Sequence, residues 1–143
     1  LKELEVLNLT GNAVTNEGLK SVATFSQLRC LSLNLVAIND SGLKHLQPLT
    51  ELRQIDLLYS EGFAGTNVSD AGIATLAKFS KLNSLNLVGA KITDAAVSSL
   101  SKLKRLKKLA IVNTGLTMTA IQQLRQAIPG CEINSTPTLN PEK

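Results

Sequence analysis

The sequence predicts an α/β solenoid, a stack of strand–helix units that share one hydrophobic core. Three observations support this fold class: similar segments recur along the chain, each opens with leucines in a strand pattern, and each closes with apolar residues at helical spacing. A single unit buries too little surface alone, whereas stacked units form a continuous core. The intervals between the units are 24, 24, 30 and 24 residues, and the units start at Leu4, Leu28, Leu52, Leu82 and Leu106.

The first half of each unit is a short strand with one buried face. It reads L-x-x-L-x-L, as in LEVLNL at 4–9 and LNSLNL at 82–87, where apolar residues lie two apart. We therefore expect the middle apolar residues of the units to align in one buried row. The row consists of Leu7, Leu31, Ile55, Leu85 and Leu109.

The second half of each unit is a short helix. Its apolar residues recur at helical spacing, for example Ile73, Leu76 and Phe79. Residues of the type that caps a helix precede it in every unit: Thr15, Asn39, Ser69, Thr93 and Thr117. Acids follow in three units, where they suit the positive end of the helix: Asp40, Asp70 and Asp94. Small residues share one register and are expected to allow close packing: Gly18, Gly42, Gly72, Ala96 and Ala120.

These motifs carry a family resemblance. The pattern L-x-x-L-x-L followed by V/I-T/N/S-N/D-x-G-L/I-x-x-L resembles the leucine-rich repeats. The T-D-x-G-L helix start is similar to the subclass found in bacterial and F-box-associated repeat proteins, and LRQAIPGCEI at 124–133 resembles the finish of bacterial arrays. The resemblance implies a leucine-rich repeat solenoid, a right-handed α/β superhelix of about five repeats plus a terminal strand. Its parallel strands would line the concave face and its helices the convex face.

One column of residues departs from the family pattern. Many leucine-rich repeats place asparagine where the strand ends, and these asparagines form an internal ladder. A continuous asparagine ladder is not expected here, because the column reads Asn12, Val36, Ser60, Ala90 and Thr114.

The repeats predict one domain over residues 1–134, followed by a polar C-terminal tail over 135–143. The sequence starts inside a repeat and without Met, so we expect a fragment of a longer array or protein. The first predicted strand has no capping unit before it. Further repeats upstream and self-association through this N-terminal end are therefore both open alternatives. No apolar stretch approaches the roughly 18 residues of a membrane span.

The two cysteines, Cys30 and Cys131, fall on the second strand and at the sixth. Strands stack about 4.8 Å apart, so four steps separate these residues by about 19 Å. A disulfide requires Cα atoms closer than about 7 Å. The sequence therefore predicts two free thiols, which are compatible with the cytoplasm but leave the compartment open.

The residue patterns of catalysis are missing from the sequence. His45 is the single histidine, and no H-E-x-x-H, G-x-S-x-G or phosphate-binding glycine motif occurs. Asp56 is the one acid expected at a central, outward strand position, and it has no second carboxylate for acid–base work. The sequence thus predicts a protein that is not an enzyme and that needs no cofactor or metal.

The long third interval marks a candidate partner surface. Its excess lies in LLYSEGFAGTNVSD at 57–70, as an insertion over 58–65 between a strand and a helix, where extra residues leave the stack intact. Apolar residues beside it are expected to form a patch on the concave face: Leu35, Leu58, Tyr59, Val88 and Val112. With Asp56 and Phe63, they are the candidate partner-binding residues. Alternatively, the insertion folds back and covers the patch, with Phe63 as the plug.

A basic cluster is the second candidate surface, at the end of the fourth helix and the start of the fifth strand. It consists of Lys102, Lys104, Arg105, Lys107 and Lys108. One interpretation is a solvated helix end, where cations are favourable. The other is an anion-binding surface, and because no aromatic residue accompanies the cluster for base stacking, nucleic acid is disfavoured as its partner.

Together these surfaces favour a non-catalytic protein–protein interaction module, a scaffold that binds a protein through the concave face and the 58–65 insertion. Three alternatives stay open. They are a structural spacer in a larger bacterial protein, an anion-binding surface at 102–108, and, by resemblance alone, the substrate-recognition repeats of an F-box-type ubiquitin ligase. The sequence leaves the identity of the partner open.

Overall fold

The computed structural model describes residues 1–62 and 66–137. Six short strands form one parallel sheet, and each pairs with the next strand in the sequence. This order is that of a solenoid, since every unit contacts the unit before it and the unit after it. The strands are β1 (Val6–Asn8), β2 (Cys30–Ser32), β3 (Gln54–Asp56), β4 (Ser84–Asn86), β5 (Lys108–Ile111) and β6 (Glu132–Ser135).

A helix connects each strand to the next, on the convex side of the core. The helices are α1 (Leu19–Val22), α2 (Asp40–His45), α3 (Asp70–Leu76), α4 (Val97–Leu100) and α5 (Met118–Ala127), and a 3₁₀ turn at Asp94–Ala96 leads into α4. All are shorter than the roughly 12–15 residues at which isolated helices become stable in water. Their stability therefore comes from packing on the sheet and on one another.

The predicted row of buried apolar residues is confirmed. Leu7 pairs in register with Leu31, and the same row continues through Ile55 and Leu85 to Leu109. The four inner members of the row are at most 1% exposed. The first member is only partly buried, because β1 is the edge strand of the sheet.

An inter-repeat ladder joins the helix starts. In this ladder, the carboxylate of Asp70 accepts hydrogen bonds from the backbone N–H (2.8 Å) and the hydroxyl (2.6 Å) of Thr93 in the next unit. Asp40 binds Ser69 in the same way, and Asp94 binds Thr117. The sequence predicted only that these acids suit the helix dipole, whereas the structure shows that they also tie one unit to the next.

The helix caps follow the prediction in most units. The side chains of Asn39, Thr93 and Thr117 each accept a hydrogen bond from a backbone N–H in the first turn. Ser69 occupies the cap position but makes no side-chain cap bond, and its hydroxyl donates to Asp40 in the ladder. Thr15 accepts from the backbone N–H of residue 18, although α1 begins only at residue 19.

The small residues at the helix starts make room for this ladder. A Cβ on Gly42 would collide with Oδ1 of Asn16, and a Cβ on Gly72 would collide with Oδ1 of Asp40. The predicted close approach is therefore confirmed at both glycines. The neighbour is a side chain of the preceding unit rather than its backbone.

The column at the strand ends needs one correction. Thr66, not Ser60, is the third member, because Thr66 lies three residues before its cap residue as Ala90 does before Thr93. Thr66 is buried, and its hydroxyl donates to the carbonyl oxygen of Val36 at 3.2 Å. The six extra residues of the third unit are therefore 60–65.

Both cysteines are free thiols, as predicted from the strand spacing. Each is partly buried. Burial raises the pKa of the Cys131 thiol above its usual value, and the neighbouring Glu132 carboxylate adds to the effect. Among the described residues, no helix has the length and apolar character to cross a membrane.

Candidate partner-binding surface

The outward side of the sheet is lined by polar residues along its centre. Asn8, Ser32, Asp56 and Asn86 stand in register on successive strands, and Ala110 follows them. Asp56 is held in place because its Oδ2 accepts hydrogen bonds from Ser32 Oγ (2.8 Å) and Gln54 Nε2 (3.0 Å). This candidate residue therefore presents a fixed carboxylate on the concave face.

The columns of the predicted apolar patch are brought together by hydrogen bonds that continue beyond the strands. The backbone N–H of Leu35 donates to the carbonyl oxygen of Leu58 at 3.0 Å, and that of Tyr59 donates to Val88 at 2.9 Å. The N–H of Gly89 likewise donates to the carbonyl oxygen of Val112. The five predicted patch residues therefore lie in two adjacent columns across neighbouring units.

These five residues, Leu35, Leu58, Tyr59, Val88 and Val112, are called the turn patch below. Each of their side chains is partly exposed, and none belongs to the buried core. The turn patch is thus neither core nor fully solvated surface. Phe63, the predicted plug, lies outside the described residues, so its covering role stays a prediction.

The backbone of the turn patch includes a strained position. Leu35 has φ 57°, a left-handed conformation that is uncommon for residues other than glycine. Gly11 and Gly89 adopt the same conformation at the equivalent positions, with φ 70° and 77°, and Asn113 does so with φ 55°. Tyr59, in the unit with the insertion, is the exception in this column, since its φ is not positive.

A depression lies beside Tyr59. Its volume is about 440 Å³, and its lining includes Tyr59, Glu61, Lys91 and Asn113. The ammonium of Lys91 lies 5.8 Å from the centroid of the Tyr59 ring, which is within the range of a cation–π contact. The insertion therefore contributes an acid, Glu61, to a pocket whose floor includes an aromatic ring.

A second cavity, of about 650 Å³, opens on the opposite rim, where helices lead into strands. Five cations line it, and we call it the basic groove: Arg53, Lys81, Lys104, Arg105 and Lys107. Only the last three belong to the predicted basic cluster. The other two, Arg53 and Lys81, come from the third unit and lie in the corresponding rim segments at 47–53 and 77–83.

Two residues of the predicted basic cluster lie elsewhere. Lys102 is not among the residues that line the basic groove. Lys108 begins β5 and lines a separate depression of about 260 Å³ on the concave face, together with Asp56 and Glu132. The stretch 102–108 is therefore not one surface, since its side chains divide between a rim and the face of the sheet.

The structure describes the histidine and both cysteines, with the acidic side chains of residues 1–62 and 66–137. No cluster of three or more histidine, cysteine or acidic side chains is placed there to hold a metal ion. His45 lies in α2, on the helix side, with its Nε2 3.8 Å from Oε1 of Glu17.

Comparisons with known proteins agree with this architecture. The family model described as Leucine Rich repeat matches residues 3–23 and 80–101. The fold is similar to that of internalin C2 from Listeria monocytogenes, with a TM-score of 0.72 and 24% identity over 95% of this chain and 53% of that one. It is also similar to a leucine-rich repeat protein of Leptospira interrogans, with a TM-score of 0.64 and 19% identity over 94% of this chain and 38% of that one.

The chain thus spans about half, or less, of the length of these two solved structures. No curated protein matches the sequence. The T-D-x-G-L subclass, with its F-box-associated members, stays an expectation from the sequence. The matched segments are leucine-rich repeats, and the chain as a whole has the fold of a leucine-rich repeat protein.

Proposed function

We propose that this chain is a non-catalytic interaction module that binds a partner protein through its concave face and the turn patch. Leucine-rich repeat arrays generally serve protein–protein interaction, because stacking creates an extended concave surface. The observation that carries the proposal for this chain is the partly exposed Leu35, held in a strained backbone conformation within the turn patch.

The strain at Leu35 supports a role for its side chain. A left-handed backbone costs about 1–2 kcal/mol for a residue with a Cβ, and glycine avoids this cost. Two equivalent positions of this chain are glycine, so the fold accepts glycine there. Leu35 is also only partly buried, so the core gains little from it. Strained positions of this kind concentrate at binding sites, where the side chain is needed.

The composition of the turn patch supports a protein partner. Contiguous apolar surface usually marks an interaction site, and tyrosine is enriched among the residues that dominate binding energy. Tyr59 combines an apolar ring with a hydroxyl, and the adjacent depression adds Glu61 and Lys91 at its edge. An apolar centre with a charged rim is the usual anatomy of a protein interface.

Asp56 adds a polar anchor next to the turn patch. Both hydrogen bonds that it accepts within the described part of the chain reach Oδ2. Its other oxygen, Oδ1, is therefore available to a donor on the partner. Because Ser32 and Gln54 already fix the carboxylate, little side-chain entropy is lost when a partner binds it.

The proposal is tested by affinity capture on the immobilised chain, followed by titration of the identified partner. We compare the wild type with Tyr59→Ala and with deletion of 60–65. Met118→Ala is the matched control, because Met118 is a 49% exposed apolar residue on α5, away from the sheet. We expect Tyr59→Ala and the deletion of 60–65 both to fold. Each should weaken binding by about tenfold or more, as loss of a central aromatic does.

A partner that binds all four proteins with equal affinity would contradict the proposal. If no variant or wild-type chain retains a partner, the spacer role becomes the better explanation. Circular dichroism melts of each variant separate a loss of binding from a loss of folding.

A further inference from the structure

The two rims of the solenoid differ in charge. The segments that follow α1 to α4, at 23–29, 47–53, 77–83 and 101–107, contain eight Lys and Arg residues and a single acid, Glu51. The acids of the inter-repeat ladder lie on the other rim, as the first residues of α2, of α3 and of the 3₁₀ turn before α4. The net charge of +4 is therefore concentrated on the rim that holds the basic groove.

The basic groove gathers part of this charge into a cavity. Its five cations come from three successive units, and no carboxylate is among the residues that line it. Like charges gathered in one cavity raise the local potential, because the low-dielectric wall focuses their field. An anion that enters the groove is therefore attracted by several cations at once.

Two of the five cations already have partners. Lys81 forms an ion pair with Glu51 at 2.5 Å, and the Nζ of Lys104 donates to the carbonyl oxygen of Ala127 at the end of α5 at 2.9 Å. The other three, Arg53, Arg105 and Lys107, form no ion pair within the residues that the structure describes. All three are exposed, so their charges face the solvent of the groove.

The cations are spread along a row and do not converge on one point. Asn83 donates its N–H to the carbonyl oxygen of Arg53, and Lys107 donates to that of Asn83, each at 2.8 Å. These three residues are therefore stacked one strand spacing apart, which places Arg53 and Lys107 about 10 Å from each other. A single phosphate contacts donors at one point, whereas alternate carboxylates of an extended peptide lie about 7 Å apart.

We infer that the basic groove binds an extended acidic segment of a partner protein. The backbone N–H groups of Asn83 and Lys107 already donate to carbonyl oxygens of the preceding units. The groove therefore offers side-chain cations to a ligand, and not these backbone N–H groups. Its lining contains no aromatic residue on which a nucleic-acid base could stack. This surface shares no residue with the turn patch, so it stands independently of the proposed function.

The test is fluorescence anisotropy with a labelled hexapeptide of alternating Glu and Ser, titrated with the chain at low salt. The groove variant is Arg105→Glu/Lys107→Glu. The matched control is Lys44→Glu/Arg125→Glu, which changes the net charge equally at two exposed helix positions that form no ion pair among the described residues. We expect about a tenfold loss of affinity in the groove variant and less than a twofold loss in the control.

Salt and competitor series complete the test. Binding should weaken as salt rises from 0.05 M to 0.5 M, because exposed charges are screened over the Debye length. An equal loss in both double variants would show attraction to net charge alone and would overturn the inference. So would tighter binding of a labelled oligothymidine than of the peptide, or full competition by inorganic phosphate at equal concentration.

Discussion

Substitution of Asp70 by alanine tests how the units are held together. Asp70 opens α3, and its two carboxylate oxygens accept from the backbone N–H and the hydroxyl of Thr93. Alanine removes both hydrogen bonds at the junction of the third and fourth units. The cap bond that the N–H of Ala95 donates to Thr93 Oγ1 is left in place, because it does not involve Asp70. The substitution therefore removes the ladder bonds of this junction, together with an acid that suits the positive end of α3.

The magnitude follows from the exposure of the site. A hydrogen bond to a charged acceptor contributes about 1.5–3 kcal/mol, but Thr93 is exposed, and water replaces part of what is lost. We take about 1 kcal/mol for each bond, so Asp70→Ala should lower the free energy of unfolding by about 2 kcal/mol. Asp70→Asn should lower it by less than about 1 kcal/mol, since an amide can still accept from one group and donate to the other.

The first unit of the chain contains the amide version of this interaction, with Asn16 in place of the acid. Asn16 accepts from the N–H of Asn39 and donates to its Oδ1, both at 3.0 Å, in the first rung of the same ladder. Equilibrium urea unfolding, followed by circular dichroism, measures all three proteins. Lys78→Ala, at an exposed position, is the control and should change stability by less than about 0.5 kcal/mol. Equal stability of Asp70→Ala and wild type would refute the reasoning, as would equal losses for the alanine and asparagine variants.

Four further predictions address the turn patch, the core and one thiol. Leu35→Gly should leave the free energy of unfolding within about 1 kcal/mol of wild type, because relief of strain offsets lost contacts. The same substitution should weaken partner binding in titrations. Unchanged binding would argue against the proposed function. Gly89→Ala should destabilise the chain by more than about 1 kcal/mol in thermal melts, because its Cβ would lie 2.5 Å from the carbonyl oxygen of Tyr59. A variant that melts at the wild-type temperature would contradict this close contact. Ile55→Ala should cost about 2–5 kcal/mol in urea unfolding, because the residue is fully buried in the central row, and a loss below 1 kcal/mol would contradict that packing. Cys131 should react with iodoacetamide at pH 7.5 more slowly in the folded chain than in urea, because its raised pKa reduces the thiolate fraction. Mass spectrometry of the alkylated peptide measures the rate. Equal rates would contradict the raised pKa.

The turn patch shows how far repeat register predicts a surface. Its columns could be written down from the sequence because equivalent residues of stacked units must become neighbours. The structure places these residues in those columns, where Leu35 donates to Leu58 and Tyr59 donates to Val88. The strained backbone at Leu35 could not be predicted in this way, since a leucine carries no local preference for positive φ. The equivalent glycines were the available clue.

The basic groove shows that closeness in sequence does not predict which cations share a surface. Lys102, Arg105 and Lys108 are close in sequence, yet only Arg105 lines the groove. Arg53 and Lys81 reach it from the third unit, which starts 54 residues earlier than the fifth. A run of cations along the chain turns through loop and strand, so its side chains point in different directions. Cations at equivalent positions of successive units are instead stacked side by side along one rim.

The sequence by itself determined the period of the chain, the alternation of strand and helix, the buried row and the separation of the two thiols. Each depends on spacing along the chain, and hydrophobic burial enforces that spacing in every unit alike. The tertiary structure alone decided the inter-repeat ladder, the buried hydrogen bond of Thr66 and the composition of the basic groove. These features join groups some 20 to 50 residues apart, and such distances become contacts only once the units are stacked.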